Sequence, residues 1–231
     1  MKNFFLSIVI PCFNEIDTIN EIINRIRKCK FSFKYELIIV DDGSVDGTSE
    51  FLKKLKSHNI TTIFHKNNLG KGASIMTGLK YAKGDYIVIQ DADLEYDPID
   101  IKKLVVPIFE NGADIIYGSR FVDNSKRRIL YFWNYLANKF LTLLINIFTN
   151  MNFSDTQTCY KMIKKDVMHS LKLKENGFGI ESEITMKISK LSLRVYEVGV
   201  SYSGRTFEEG KKIRFKDGLR ALFVIIKLIF K

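Results

Sequence analysis

Three carboxylates, Asp91, Asp93 and Glu95, stand at alternate positions in DADLE, directly after the apolar run YIVI. Carboxylates at i and i+2 just past a strand suit a hard divalent cation, Mg2+ or Mn2+, shared with the phosphates of a substrate, because a turn brings both to one ion. A calcium loop is excluded. Counting from Asp91, the sixth position is Tyr96 where that loop needs Gly, and the twelfth is Lys102 where it needs Glu. A solvated strand edge is the other reading of the same charge. Two further polar stretches follow apolar runs, PCFNE (11–15) and DDGSVDGT (41–48). The second is an Asx/Gly turn with Asp46 capping the next helix; Asp41 and Asp42 precede it, where a base or ribose can be hydrogen-bonded.

NLGKGAS (68–74) matches neither GxxxxGK[ST] nor GxGxxG. It reads as a glycine-rich turn opening a helix, which either simply caps that helix or, with Lys71, brings its N-terminus to an anion. Arg120 and Arg205 follow the strand-like runs IIYGS and EVGVSY. Both should project at the edge of a sheet, and a planar guanidinium matches phosphate oxygens as no lysine can. The alternative for Arg205 is plain loop structure, with Glu208 and Glu209 pairing with Lys211 and Lys212.

The elements that must position these groups are short β-branched runs alternating with helical patterns. Strands are expected at 6–11, 36–42, 61–66, 86–93 and 113–120, with helices at 18–29, 46–57, 73–82 and 99–111 between them. That alternation predicts an α/β fold with a largely parallel sheet and helices on both faces. Ligands in such folds bind at the carboxyl ends of the strands, where PCFNE, DDGSVDGT and DADLE all fall. Beyond residue 120 come a basic stretch, an aromatic and aliphatic segment, a loop and helix at 153–171, a helix containing ESEITM, a strand at 194–202 and a basic, apolar terminal helix. The 231 residues read as one catalytic domain, 1–212, followed by a membrane-associating amphipathic helix, 213–231.

The net charge of +10 is localised. Residues 120–139 hold five Lys/Arg against one acid, and residues 205–231 hold eight against three. Localised basicity implies an anionic partner: phosphate groups, a nucleic acid or an anionic membrane. The acidic DAD cluster would repel a nucleic-acid backbone, which disfavours a non-catalytic nucleic-acid-binding protein. Cys12, Cys29 and Cys159 form no disulfide framework, and a reduced cytoplasmic setting is expected. His58, His65 and His169 lack the spacing of a zinc site.

In combination, IVIPCFNE, IIVDDGSVDGT, NLGKGAS, GDYIVIQDADLEYDP, YGSRF and RTFEEGKKI, in that order across nearly the whole chain, resemble the family 2 glycosyltransferases of the GT-A fold. The likeness is greatest to the branch of dolichyl-phosphate mannose synthases and related polyprenyl-phosphate glycosyltransferases. The resemblance implies an inverting transfer of a sugar from a nucleotide-diphosphate donor, such as GDP-mannose or a UDP-sugar, to dolichyl or undecaprenyl phosphate. It implies that Pro11, Phe13, Glu15, Val40, Asp42, Asp91 and Ala92 hold the nucleotide sugar. Asp91, Asp93 and Glu95 would hold Mg2+ or Mn2+, Arg120 and Arg205 would meet phosphates, and Lys211 would sit near the donor. Asp93, Arg120 and Arg205 are the expected catalytic residues. Two positions depart from the family's usual pattern: Phe13 stands where Tyr is common, and Glu95 where Gln is common. A second member-like activity keeps the donor but uses a soluble glycan or other hydroxyl acceptor. That reaction needs a base, for which Glu181 and Glu183 are candidates; a helix N-terminal charge pair is their other reading.

No run of about twenty apolar residues is present, so no ordinary membrane-spanning helix is expected. Lys216, Arg220, Lys227 and Lys231 instead recur along one stripe of an apolar terminal helix. That pattern suits a helix lying at the cytoplasmic face of a membrane against lipid phosphates. The segment 129–148, with Trp133 and Tyr135, suits the same placement; buried core or oligomer packing is the alternative.

Overall fold

The computed structural model describes residues 4–122 and 128–230. One sheet of seven strands organises it: β1 (Phe5–Cys12), β2 (Lys34–Asp41), β3 (Ile60–Phe64), β4 (Tyr86–Ile89), β5 (Ile115–Ser119), β6 (Lys161–Lys164) and β7 (Val195–Gly199). Their order is β3-β2-β1-β4-β6-β5-β7. The pairs β1–β2, β2–β3, β1–β4 and β5–β7 are parallel, and β6 runs antiparallel to β4 and β5. Ile8, Val9 and Ile10 on β1 are all buried although they alternate faces, because helices cover both sides of the sheet. In α1 (Ile16–Lys28) the buried residues Ile19, Ile22, Ile23 and Ile26 follow the helical period and fix its inner face.

The other helices are α2 (Thr48–Lys54), α3 (Lys71–Leu79), α4 (Ile101–Asn111), α5 (Phe132–Thr149), α6 (Lys165–Ser170), α7 (Ile180–Ile188) and α8 (Phe215–Ile229). The first four expected strands and helices are present, with α2 shorter than expected. The strand expected at 113–120 is present as β5, but it does not pair with β4: β6, from the segment read as loop and helix, lies between them, with Ile163 opposite both Ile87 and Ile115.

A second, smaller core joins α5, α7 and α8 through Leu141, Ile145, Met186, Ala221 and Ile225. The terminal helix therefore buries one side and exposes the other. Phe215, Leu219, Phe223, Ile226 and Phe230 lie open to solvent, beside Lys216, Arg220 and Lys227. On α5, Phe132, Trp133, Leu136, Phe140, Leu143 and Ile147 are likewise exposed. Among the described residues, no helix is long and apolar enough to cross a membrane.

Candidate active site

The carboxyl ends of β1, β2 and β4 converge with the segment that follows β7. An antiparallel bridge between Tyr96 and Tyr202 lays residues 202–205 against the turn after β4. Glu95 fastens it: its carboxylate accepts from the Arg205 backbone N–H at 2.7 Å and from the Tyr202 hydroxyl at 2.8 Å. The Arg205 guanidinium then faces three acids. Its Nη1 and Nη2 donate to Glu15 at 3.1 and 3.0 Å, and Nη2 also reaches Asp93 at 3.3 Å. Its Nε is buried without a hydrogen-bond acceptor among the described residues, 3.9 Å from Glu95 Oε1.

Glu15 is shared with Lys212, whose Nζ lies 2.6 Å from Oε1 and also donates to the backbone oxygens of Phe13 and Asn14. Lys212 thus occupies the tip of β1. Lys211 turns away, its Nζ 5.7 Å from the Tyr131 ring centre. The expected pairing of Glu208 and Glu209 with these lysines is absent for Glu209 and Lys212, since Glu209 binds Arg128 at 2.6 Å. Burial, reinforced by Asp91 and Glu95 and opposed by Arg205, pushes the Asp93 carboxyl up to about 8.

Asp91 faces the other way, toward Lys71 Nζ at 2.8 Å. Lys71 also stands 3.5 Å from Glu181 Oε1, and Glu181 Oε2 accepts from the fully buried Lys161. Burial disfavours the Lys71 ammonium, but Asp91 and Glu181 outweigh it and hold its pKa above the usual lysine range. Sequence reasoning missed Lys161 and Asp155, although both stand in an otherwise uncharged stretch, FSDTQTCYK. Asp155 accepts from Arg120 Nε and Nη2 at 2.7 and 2.8 Å and from its backbone N–H at 3.1 Å. Burial alone would raise the Asp155 carboxyl, and Arg120 more than reverses this. Arg120 is therefore anchored, with its guanidinium 5.1 Å from the Tyr202 ring.

Other expected site residues are placed differently. Asp42 clamps the glycine turn to β2: it accepts from the Leu69 and Gly70 N–H groups at 2.9 and 2.8 Å and contacts His65 Nδ1 at 2.7 Å. Phe13 and Pro11 remain partly exposed at the tip of β1. The side chains of Val40 and Ala92 are buried among the core. Glu183 does not serve the cleft, because it accepts from the Lys174 and Glu175 N–H groups and pairs with Lys187 at 2.7 Å. The N-terminus of α3 is likewise taken: Ala73 N–H donates to Asn176 O at 3.1 Å. A Cβ on Gly72 would stand 2.0 Å from Glu175 O, so the glycines serve this close approach. The helix cap expected at Asp46 falls one residue later, on Gly47, whose φ is 100°; Asp46 instead accepts from Thr48 N–H at 3.0 Å and from Ile16 N–H at 3.1 Å.

Among the described residues, no three Asp, Glu, His or Cys side chains converge on one point in the manner of a formed metal site. The donor set nevertheless fits a hard cation. It is all oxygen, and Asp93 and Glu95 already face a single positive group, the Arg205 guanidinium.

From this edge a cleft of about 880 Å³ runs outward. Lys71, Asp91, Glu95, Arg120 and Lys211 line its inner end, and Trp133, Leu136 and Phe140 of α5 face Phe215, Leu219 and Leu222 of α8 along it. A smaller cavity of about 290 Å³ brings Arg120, Arg128 and Lys211 beside Ile129, Leu130 and Tyr131.

Comparison with known proteins places this geometry. The chain is 31% identical to a dolichol-phosphate mannosyltransferase of Pyrococcus furiosus, across 90% of this chain and 60% of that protein, so it spans less than two thirds of that relative. It is 30% identical to an uncharacterized protein of Methanocaldococcus jannaschii, across 96% of this chain and 98% of that one. Its fold matches glucosyl-3-phosphoglycerate synthase of Mycobacterium tuberculosis, solved with Mn2+, UDP and glucosyl-3-phosphoglycerate, with a TM-score of 0.74 at 18% identity over 99% of this chain and 81% of that chain. The same enzyme with Mg2+ and UDP matches equally, with a TM-score of 0.74 at 17% identity over 99% of this chain and 80% of that chain. The expected GT-A architecture is thereby shown. The model of glycosyl transferase family 2 matches residues 7–171, well over half the chain, and the chain belongs to that family.

Proposed function

We propose that the protein transfers a sugar from a nucleoside diphosphate donor to a polyprenyl phosphate, with Mg2+ or Mn2+ as cofactor. The observation that carries this reading is the cleft. It begins at the carboxylates and cations of the strand tips and leaves between the apolar faces of α5 and α8, as an acceptor with an ionic head and a hydrocarbon tail requires. The mannosyltransferase relative supports the acceptor, and the UDP complexes of the structural neighbours support the donor.

Asp93 and Glu95, with Asp91 beside them, would hold the cation. Bound there, it supplies positive charge to the departing diphosphate. Arg205 and Lys212 add positive charge at the same edge, next to Glu15 and the partly exposed Phe13 of the nucleotide side. Arg120, fixed by Asp155, joins Lys211 and Arg128 around the smaller cavity, a setting for the acceptor phosphate. That phosphate is already ionised. Its oxygen forms the new bond to the anomeric carbon as the bond to the diphosphate breaks on the opposite side, which inverts the centre and needs no protein base. Positioning and charge neutralisation then supply the catalysis.

The exposed apolar faces of α5 and α8, edged by Lys216, Arg220 and Lys227, support peripheral attachment at an anionic, cytoplasmic membrane face. Residues 213–231 serve as the attaching helix while α8 also closes one wall of the cleft.

Prenyl phosphates of increasing length test the reading. The KM should fall with each isoprene unit that enters the apolar cleft and then level off. Equal use of a short, water-soluble phosphate or of a glycan hydroxyl would show that the cleft does not hold a lipid acceptor.

A further inference from the structure

Tyr160 lies beneath the DADLE turn and has no part in the proposed reaction. It is fully buried immediately before β6, and its backbone oxygen accepts from Gly118 N–H of β5 at 2.7 Å. Its hydroxyl donates to Gln90 Oε1. Gln90, also fully buried, donates from Nε2 to the backbone oxygen of Asp91 at 3.0 Å. The same short stretch holds the other end of the turn. The Tyr96 hydroxyl accepts from Cys159 N–H at 3.2 Å and meets the Thr158 hydroxyl at 3.3 Å, and the Tyr96 and Tyr160 ring centres are 4.7 Å apart. Between these anchors Leu94 has a φ of 64°, a left-handed backbone that a leucine keeps only where its surroundings impose it.

Resting on the cation of the proposed reaction, we propose that Tyr160 is a positioning residue for it. Through Gln90 and the Tyr96 ring it holds the DADLE turn in the shape that lets Asp91, Asp93 and Glu95 share one ion. Core filling alone does not call for this chemistry. A methionine and a phenylalanine would occupy the space of Gln90 and Tyr160 with no donor to satisfy, and a buried amide and hydroxyl gain little net stability from bonding each other. What the pair gains is direction. The Asp91 backbone oxygen can only accept, so the amide must turn its Nε2 there, and the hydroxyl donating to Oε1 secures that orientation. Tyr202, whose ring centre is 5.2 Å from that of Tyr96, extends the row to Glu95, which accepts from its hydroxyl at 2.8 Å. Groups that orient metal ligands from behind change metal affinity about 10–100-fold when they are lost.

Titration with Mn2+, followed by the electron paramagnetic resonance of the free ion with UDP or GDP present, tests this without turnover. Tyr160→Phe keeps the ring and should weaken Mn2+ binding about tenfold, with activity returning at raised Mn2+. Gln90→Met should weaken it at least as much. The double variant should lose no more than Gln90→Met alone, because both act through the one bond to Asp91. Tyr86→Phe is the comparison. It removes another buried hydroxyl, bonded to Ala113 O at 2.7 Å, at the opposite end of β4, and should leave Mn2+ affinity unchanged. A role confined to stability would affect both tyrosine variants alike. Unchanged Mn2+ affinity in Tyr160→Phe, or in Gln90→Met should the first variant not fold, overturns the positioning role, as does an equal loss in Tyr86→Phe. If the unaltered protein binds no Mn2+ with either nucleotide, the cation assignment itself fails, and the positioning role with it.

Discussion

Asp93 and Arg205 illustrate how far chemistry at single residues could be read from sequence. The carboxylates of DADLE were legible because alternate acids directly after an apolar run have few structural uses, and Asp93 does sit half-buried beside Asp91 and Glu95. Their partners were not legible. Arg205 meets Glu15 and Asp93 from positions 190 and 112 residues away, and Lys71 meets Glu181 only because the segment just before α7 folds back against the start of α3. Such pairings are set by topology, not local spacing. Asp93→Asn should leave the fold intact and remove most turnover; full activity in the folded variant, with or without EDTA, would contradict its role. Arg205→Lys should keep the charge but lose the fork to Glu15 and the donor phosphates, so kcat should fall as well as KM rise, with a larger loss in Arg205→Ala. Wild-type kinetics in both would leave Arg205 as loop structure. Asp155→Ala would strand the Arg120 guanidinium in a buried position, and unfolding by urea should show a loss of about 3–5 kcal/mol.

At the scale of elements, β1 to β4 and their helices were readable because β-branched runs and the 3.6-residue period both survive in short windows. β6 was not, because KMIK is four residues long and begins and ends on lysine, one of which is fully buried against Glu181. The terminal helix was read correctly as amphipathic, yet sequence could not divide its apolar arc. The fold does so: Ala221, Val224 and Ile225 pack inward, while Leu219, Phe223 and Ile226 remain outside. Removing all of α8 would therefore uncover Leu141, Ile145 and Met186 along with any membrane face. Leu219→Glu combined with Phe223→Glu separates the two roles. The pair should leave the melting temperature nearly unchanged and sharply reduce co-sedimentation with anionic liposomes at physiological salt. Undiminished sedimentation would contradict a membrane-facing α8.

Over the whole molecule, the sheet brings charge to one edge and α5 and α8 bring hydrocarbon to the same edge, which is the arrangement a lipid-phosphate acceptor needs. The most direct measurement is the partition of label after incubating the protein with Mn2+, a panel of sugar-labelled UDP and GDP donors and polyprenyl phosphate in vesicles. Label from one donor should pass into the organic extract as a sugar phosphate lipid, with release of the nucleoside diphosphate, and EDTA should abolish it. Label that remains entirely in water for every donor, or that reaches the lipid equally well with Asp93→Asn, would contradict transfer at this site.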